Sequence, residues 1–274
     1  MENGATPYGR GFDRLLAVPL LVYLAIIVAL IAGIFLSITP EALRTAFGEP
    51  GLRDAIIYAT LLSLVTSTLS TLLSVAVAIP AGYVLSRHRF PGRSLADTVL
   101  DLPIVLPPLV MGLCVLIFFN TAFGRWLDRG IVQEGLFVYQ PLGIVLVQFV
   151  VGCAFAVRVI KAGFDSLDPR YEDVAMTLGA NRAQTFLHVV LPNAAPSIVA
   201  GAVISWARIF GLFGPILLVS GTMRHRTEIM PTTIFLETSI GRLEVALLVG
   251  ACMVIISTAT LIIFKRLGGK GYLW

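Results

Sequence analysis

Histidine and cysteine, the side chains that most often ligate metals or act as nucleophiles, are few and scattered in this sequence. The chain has three of each, at spacings that fit no zinc or nucleophilic site: Cys114, Cys153, Cys252, His88, His188 and His225. The cysteines lie inside apolar runs, which is typical of reduced packing residues. The sequence therefore predicts no metal site and no enzyme active site.

A phosphate-binding loop is also missing from the sequence. The motif G-x-x-x-x-G-K-[ST] cradles nucleotide phosphates with backbone amides. The run 268–271, Gly-Gly-Lys-Gly, lacks both the upstream glycine spacing and the Ser or Thr of that motif. Any ATP hydrolysis that drives this protein must therefore reside in another polypeptide, and we expect the chain to bind no cofactor.

Arg208 is the charged residue whose position could most directly bear on function, because it lies inside a long apolar run. An uncompensated arginine at the centre of a membrane helix costs about 2.5–3.5 kcal/mol. If it faced a water-lined cavity, it could provide positive potential there. It could instead extend to the cytoplasmic headgroups or form a structural ion pair, and we favour this structural interpretation.

The composition explains where these residues must lie. Of 274 residues, 57% are hydrophobic and 13% are charged, whereas an average soluble domain carries about 25% charged residues. So few charges cannot solvate a globule of this size, which excludes secreted disulfide scaffolds and ordinary cytosolic enzymes. The net charge of +4 comes with no basic cluster, so nucleic acid is not expected as a partner. The sequence predicts an integral membrane protein.

Apolar stretches long enough to cross a bilayer, about 20 residues each, occur at six places: Leu15 to Ile38, Ile56 to Val84, Leu102 to Phe119, Pro141 to Val157, Ala194 to Val219 and Val245 to Phe264. With the N-terminus inside, the cytoplasmic segments hold 12 of the 20 Lys and Arg residues and the outer loops hold 7. Cytoplasmic loops carry the excess of positive charge. We therefore expect an all-α membrane protein of six helices with both termini cytoplasmic.

Two of the predicted spans should be interrupted. Prolines at 103, 107 and 108 open the third span, and Gly211, Gly214 and Pro215 divide the fifth. Broken helices at mid-bilayer depth favour a substrate path, although a packed kink with no path beside it is also possible. Phe210 and Phe213 could form an apolar gate or could simply belong to the core. The candidate path and gate residues are Pro107, Pro108, Met111, Arg208, Phe210, Gly211, Phe213 and Gly214.

The longest cytoplasmic connection, 158–193, has a pattern of its own. An acidic start is followed by small apolar residues, by Gly179, and by a second apolar stretch that ends at Pro192. This pattern predicts two short helices with a glycine turn, the second helix ending at the proline. Such a helix pair could protrude from the membrane and enter a groove of another protein, or could lie at the surface without a partner.

This connection resembles the cytoplasmic signature of ATP-binding-cassette importer permeases, which reads Glu-Ala-Ala, three residues, Gly, nine residues, Ile, one residue, Leu-Pro. The chain has Asp173-Val174-Ala175, Gly179, Val189 and Leu191-Pro192 in the same register, with mild departures at 173, 174 and 189. The resemblance implies that coupling to an ATPase is carried by Glu172, Asp173, Ala175, Leu178, Gly179, Ala180, Leu191 and Pro192.

Further segments are similar to the molybdate, tungstate and sulfate branch of these permeases. They are the runs 78–87, 90–93, 101–112 and 231–246. One departure concerns the fifth span, where relatives tend to read Gly-Glu-Phe-Gly-Ala and this chain reads Gly-Leu-Phe-Gly-Pro at 211–215. The missing carboxylate makes the segment less negative, which is compatible with an anionic cargo.

The resemblance implies a type I importer fold in which residues 1–274 form one permease domain in the plasma (inner) membrane. Its partners would be a second copy of the permease, two ATPase subunits that bind ATP and Mg, and an extracytoplasmic solute-binding protein. The expected cargo is molybdate or tungstate, then sulfate. Iron complexes or polyamines as cargo, an ATP-independent secondary transporter, and an exporter subunit are the alternatives.

Overall fold

The computed structural model describes residues 7–40, 44, 48–130 and 135–267, and the regular elements of this part of the chain are helices. In chain order they are α1 (Pro7–Leu36), α2 (Pro50–Arg87), α3 (Arg93–Val105), α4 (Pro108–Asn120), α5 (Ala122–Arg129), α6 (Pro141–Ser166), α7 (Arg170–Thr177), α8 (Arg182–Thr185), α9 (Leu191–Phe210), α10 (Gly214–Ser220), α11 (Met230–Ser239) and α12 (Leu243–Leu267). The glycine-rich run 268–271 lies outside the described residues.

The long apolar helices match the predicted spans in number, but the fifth covers Arg182–Phe210 rather than the predicted Ala194 to Val219. Within the described residues, α1, α2, α6, the run from α8 to α9, and α12 are each long and apolar enough to cross a membrane. The helices α3 and α4 meet that test only together, and they are bent by 113° relative to each other. Counting this pair as one broken span gives the six spans that the sequence predicts.

The bend between α3 and α4 follows from consecutive prolines. A residue that precedes proline is pushed out of the helical region by the ring of the proline. Leu106 precedes Pro107, and Pro107 precedes Pro108, so both take extended ψ values of 141° and 133°. The predicted third span, Leu102 to Phe119, is therefore two helices rather than one kinked rod.

The predicted fifth span is also divided, as the sequence indicates. Helix α9 ends at Phe210, and α10 begins at Gly214 after a short turn in which the Leu212 N–H donates to the Ile209 carbonyl over 3.1 Å. Gly211 lies in this turn and forms the C-terminal cap of α9.

The connection 158–193 differs from its prediction at both ends. Helix α6 continues to Ser166, because Arg158 on this extension forms ion pairs with Asp97 and Asp101 of α3 that support it beyond the apolar stretch. The irregular part of the connection is therefore short.

At the far end of this connection, the second helix does not stop at Pro192, which was predicted to end it. The residues between α8 and α9, Phe186–Val190, form a π-helical turn, and the Leu191 N–H donates five residues back to the Phe186 carbonyl. This wider turn accommodates a proline, which has no N–H to donate and needs room for its ring. Helix α8, the turn and α9 thus form one helical run.

Small residues form the centre of the molecule, where α2 packs along α6. The buried face of α2 includes Ala55, Ala59, Ser63, Ser67, Ser70, Ser74, Ala78 and Gly82. Small side chains let helix backbones approach closely and let hydroxyls bond across the interface. The Ser70 hydroxyl donates to the Val145 carbonyl of α6 over 3.1 Å. Gln148 of α6 joins three helices, since its amide nitrogen lies 3.3 Å from both the Ser67 hydroxyl and the Ile209 carbonyl.

Candidate functional site

The end of α7 is fixed by a backbone motif centred on Gly179. The Gly179 N–H donates to the Met176 carbonyl over 3.0 Å, and the Ala180 N–H donates to the Ala175 carbonyl over 3.1 Å. These two bonds form a Schellman motif, which needs a left-handed residue after the helix. Gly179 has φ +95°, a conformation that glycine adopts without steric cost.

Helix α8 begins three residues after this glycine, and Asn181 gives it a reciprocal cap. The Asn181 side chain accepts from the Gln184 N–H, and the Gln184 side chain accepts from the Asn181 N–H, each over 2.9 Å. Such a capping box satisfies two amides that a helix start leaves free. The turn between α7 and α8 is therefore defined at both ends by local hydrogen bonds.

An apolar surface lies on the outside of this turn. Tyr171, Val174 and Leu178 recur at the spacing of one helix face and are exposed, Leu178 to 83%. We call these three residues the apolar tip. They lie outside the membrane-spanning helices, where exposed apolar side chains mark an interaction surface.

The other face of α7 is held against the end of α2 by a charged contact. Arg87 Nε lies 2.7 Å from Glu172 Oε1, and both side chains are mostly buried. The Tyr83 hydroxyl donates to Glu172 Oε2 over 2.7 Å. Arg87 also donates to the Leu167 carbonyl over 2.9 Å, just after α6 ends. One arginine thus joins α2, the end of α6, and α7.

A cleft of about 480 Å³ opens beside this contact, between the end of α2 and the α7–α8 turn. Among the predicted coupling residues, Glu172 and Asp173 line it, together with Arg87, His88, Met176, Arg182 and Phe186. The structure brings the predicted residues at 172–180 together at this turn. Leu191 and Pro192 lie at the start of α9, where their neighbours Val190 and Asn193 line a second cavity together with Glu172.

The two helix breaks predicted to line a path are in contact with each other. A Cβ added at Gly112 of α4 would lie 2.5 Å from the Pro215 Cα of α10, and a Cβ at Gly214 would lie 3.3 Å from a methyl group of Leu109. Pro107 and Pro108 are exposed beside this contact and Met111 is half-buried. The packing of α4 on α10 therefore requires glycine at 112, whereas a methyl group at 214 would need only a small shift of the Leu109 side chain.

Arg208 lies on an exposed face of α9. Ile204, Ala207 and Gly211 share this face at helical spacing and are exposed as well. The guanidinium group sits 5.4 Å from the centre of the Phe155 ring, a cation–π contact. Within the described residues Arg208 has no ion pair with a carboxylate, so the ion pair considered from the sequence is not formed among them.

The two aromatic residues considered as a gate have different surroundings. Phe210 is buried and stacks on Trp206 with 4.7 Å between ring centres. Phe213 is half-buried and contacts the Phe235 ring at 5.1 Å. Phe210 thus faces the core between α9 and its neighbours, whereas Phe213 lies at the break near Arg208 and Gly211 in the sequence.

A polar cluster that the sequence reasoning did not identify lies in the segment 221–237. Glu237 is fully buried and forms an ion pair with Arg224. Glu228 is also fully buried, and both of its carboxylate oxygens lack a hydrogen-bond partner among the described residues. Burial raises the pKa of Glu228, which lies outside the spans, while Arg224 opposes that shift. The sequence offers one indication of this cluster, because Glu228 and Glu237 follow closely after Arg224.

The model of the family described as "Binding-protein-dependent transport system inner membrane component" matches residues 74–270. The chain belongs to this family. The permease is thus a component of the inner membrane, in agreement with its apolar helices.

Two relatives have been assigned cargoes by name. The permease is 38% identical over 157 residues to the sulfate transport system permease protein CysT of Escherichia coli, covering 57% of this chain and 56% of that protein. The match thus spans just over half the length of that relative. It is 35% identical to the molybdate/tungstate transport system permease protein WtpB of Pyrococcus abyssi, covering 77% of this chain and 79% of that protein.

A solved structure shares the fold. A bacterial alginate ABC transporter, crystallised in complex with an alginate pentasaccharide-bound periplasmic protein, has a chain similar to the permease at a TM-score of 0.68. The two chains are 18% identical, and the similarity covers 94% of this chain and 92% of that one. At this identity the likeness establishes the architecture alone.

Proposed function

We propose that the permease forms, with a second copy, the path by which an ATP-binding-cassette importer moves a small oxyanion into the cell. Molybdate or tungstate is the first expectation and sulfate the second, because the relatives above are named for these anions. The observation that carries the proposal is the apolar tip, which is exposed outside the spans while the opposite face of the same helix is fixed by Glu172 and Arg87.

The apolar tip is suited to a separate ATPase subunit. Exposed aliphatic and aromatic residues on a short helix fit a groove in another protein, and Asp173 next to them is exposed for a polar contact at the rim. ATP and Mg would be bound by a pair of such subunits, one below each permease copy. This chain itself would carry out no hydrolysis.

The exposed face around Arg208 supports a second permease copy. A bare guanidinium facing hydrocarbon is costly, and Arg208 is exposed in one chain with Phe155 as its aromatic contact. A second copy, or a water-filled path between two copies, would give it a polar environment. In such a path, Arg208 would provide positive potential for an anionic cargo.

Transport would follow alternating access between two packings of the same helices. Closure of the ATPase pair would push on residues 172–180. The movement would separate or join the broken segments at α4 and α10, where Pro107, Pro108, Met111, Gly211, Phe213 and Gly214 lie. The proposal places the connection 158–193 and both termini in the cytoplasm, within a single domain of residues 1–274, and a solute-binding protein on the outer side.

Reconstitution tests this proposal directly. The permease, its ATPase and its binding protein are placed in liposomes, and trapped molybdenum, tungsten and sulfur are counted by elemental mass spectrometry with ATP or with ADP. We expect one oxyanion to accumulate with ATP only. Accumulation that is equal with ADP would contradict ATP coupling. ATP hydrolysis without entry of any of the three oxyanions would contradict the assigned cargo and leave the importer assignment standing.

A further inference from the structure

Arg87 occupies a junction that the family resemblance does not assign. It ends α2, it bonds Glu172 of α7 through a charge-assisted contact of 2.7 Å, and it bonds the Leu167 carbonyl after α6 over 2.9 Å. Its side chain is 13% exposed and that of Glu172 is 14% exposed. A charge-assisted bond with so little solvent contact is stronger and less screened than a surface ion pair.

Glu172 has a second partner on the same helix. The Tyr83 hydroxyl donates to its other carboxylate oxygen, and the Tyr83 ring contacts the Phe186 ring at 4.8 Å. Tyr83 and Arg87 are one helical turn apart, so they hold both oxygens of the carboxylate from one face of α2. This arrangement fixes both the position and the orientation of α7 relative to α2.

The opposite half of α2 contacts the outer segment of the molecule. The Tyr58 hydroxyl donates to the Arg226 carbonyl over 3.1 Å, and the Met230 N–H donates to the Ser63 hydroxyl over 2.9 Å. Helix α2 is continuous over its 38 residues, which is roughly 57 Å of helix at 1.5 Å per residue. One continuous helix therefore joins the α7 turn to the segment that precedes α11.

We propose that Arg87 is a positioning residue that transmits movement of the apolar tip to α2, and through α2 to the segment 221–230. This inference rests on the proposed function, in which an ATPase moves the tip. The Schellman motif and the capping box fold the α7–α8 turn without Arg87. Loss of Arg87 therefore leaves the turn formed but weakens its connection to the spans.

The test measures ATP hydrolysed and oxyanion accumulated in the same liposomes, using the full complex with its ATPase and binding protein. For Arg87→Gln and for Glu172→Gln we expect the oxyanion transported per ATP to fall at least fivefold, with the complex still assembled. The double variant Arg87→Glu with Glu172→Arg restores the charge pair, and we expect it to recover part of this ratio. A purely structural role would change assembly and thermal stability without changing the ratio in the assembled complex.

Arg53→Gln is the matched control. Arg53 lies on the same helix and pairs with Asp54, but both side chains are more than half exposed, and such surface pairs contribute little. We expect this variant to transport with the wild-type ratio. If Arg87→Gln also keeps the wild-type ratio, the inference is wrong.

Two other results need their own interpretation: failure of Arg87→Gln to assemble, and absence of ATP-dependent accumulation in the wild type. If Arg87→Gln does not assemble, Tyr83→Phe removes one hydrogen bond to Glu172 and keeps the ring packing, and we expect a ratio lowered about twofold; an unchanged ratio in Tyr83→Phe would then overturn the inference. If the wild-type complex shows no ATP-dependent accumulation, the proposed function fails before Arg87 is tested.

Discussion

The α7–α8 turn and the segment 221–237 differ in how well their polar groups are hydrogen-bonded. At the turn, backbone amides are satisfied by the Schellman motif and the capping box, and Glu172 is bonded through both oxygens. In the segment 221–237, two carboxylates are fully buried: Glu237 pairs with Arg224, whereas both oxygens of Glu228 lack a partner within the described residues.

This difference indicates how the two regions act. A turn whose backbone amides and whose Glu172 carboxylate are hydrogen-bonded is held in one shape and can move as a rigid unit, although the buried Thr185 hydroxyl of α8 has no partner within the described residues. Buried polar groups without partners cost free energy that water or a bound protein can recover. The segment 221–237 therefore has more to gain from a change in packing than the α7–α8 turn does. Four predictions test this contrast, ordered by their expected effect on the stability of the permease.

Arg224→Ala should cause the largest loss. It leaves the fully buried Glu237 unpaired. Because the Arg224 side chain is itself 37% exposed, the cost should be about 2 kcal/mol, below that of a pair buried on both sides. The control is Arg242→Ala, whose pair with Glu49 is exposed on both sides, so its loss should stay below about 1 kcal/mol. Thermal unfolding in detergent measures both. If both variants lost the same free energy of unfolding, the expected difference between the buried Glu237 pair and the exposed Glu49 pair would be contradicted.

Glu228→Gln should change how stability depends on pH. Because burial raises the pKa of Glu228, the folded permease binds this proton more tightly than the unfolded chain does. The stabilisation from this proton is complete below the ordinary pKa of glutamate. It is lost as pH rises through the raised value, with a slope of up to about 1.4 kcal/mol per pH unit.

This effect is isolated by thermal unfolding of wild type and of Glu228→Gln between about pH 5 and about pH 8. The window runs from near the ordinary pKa of glutamate to above that of histidine. Both proteins keep Arg224, His225 and Glu237 nearby, so the difference between them reports Glu228. The exposed Glu244 provides the control variant Glu244→Gln. A wild-type profile as flat as that of Glu228→Gln would show that this carboxyl does not titrate in the window.

Gly179→Ala should cost about 1 kcal/mol, because alanine is strained at φ +95°. The strain falls on the last turn of α7, so hydrogen exchange should quicken at the amides of 178–181 and stay unchanged in the spans. Gly51→Ala is the control, since a Cβ there meets nothing within 4 Å and its backbone is helical. Unchanged exchange in Gly179→Ala would mean that the Schellman motif is not what ends the helix.

Leu178→Ser should have the smallest effect on the permease itself, within about 0.5 kcal/mol, because the side chain is 83% exposed. Its effect should appear in association with the ATPase, which we expect to weaken roughly tenfold if the apolar tip contributes a central contact. Binding of the purified ATPase to permease in nanodiscs measures this. Leu95→Ser, exposed on α3, serves as the control at a distant apolar site.

Much of the fold could be predicted because its signals are local. The consecutive prolines at 107 and 108 and the glycines at 211 and 214 mark the two broken helices directly. Gly179 and Asn181 mark the stop of one helix and the start of the next. Pro192 misled the prediction because the π-helical turn that accommodates it depends on backbone bonds that have no signature in the sequence.

The contacts between distant residues could not be predicted in the same way. Arg87 and Glu172 are far apart in the chain, and Arg87 was counted only as one of several cytoplasmic cations. Their pairing depends on how α2 packs along α6, which small residues such as Ser70 and Gly82 permit but do not specify. The burial of Glu228 and Glu237 likewise follows from the path of the chain after α10, and charged residues in a connection are ordinarily exposed.

Helix α1 has a consequence for how this protein can change over time. Its span, Leu15–Leu36, buries none of its residues against the rest of the chain. Within this chain, α1 must therefore be hydrophobic and long enough to span the membrane, but the shape of each side chain is not constrained by packing. Within one chain, exchanging one aliphatic residue of α1 for another changes little packing, whereas enlarging a buried small residue of α2 such as Ser70 or Ala78 would push its neighbours apart. Among related genes, we expect the sequence of α1 to diverge faster than its length and its hydrophobicity.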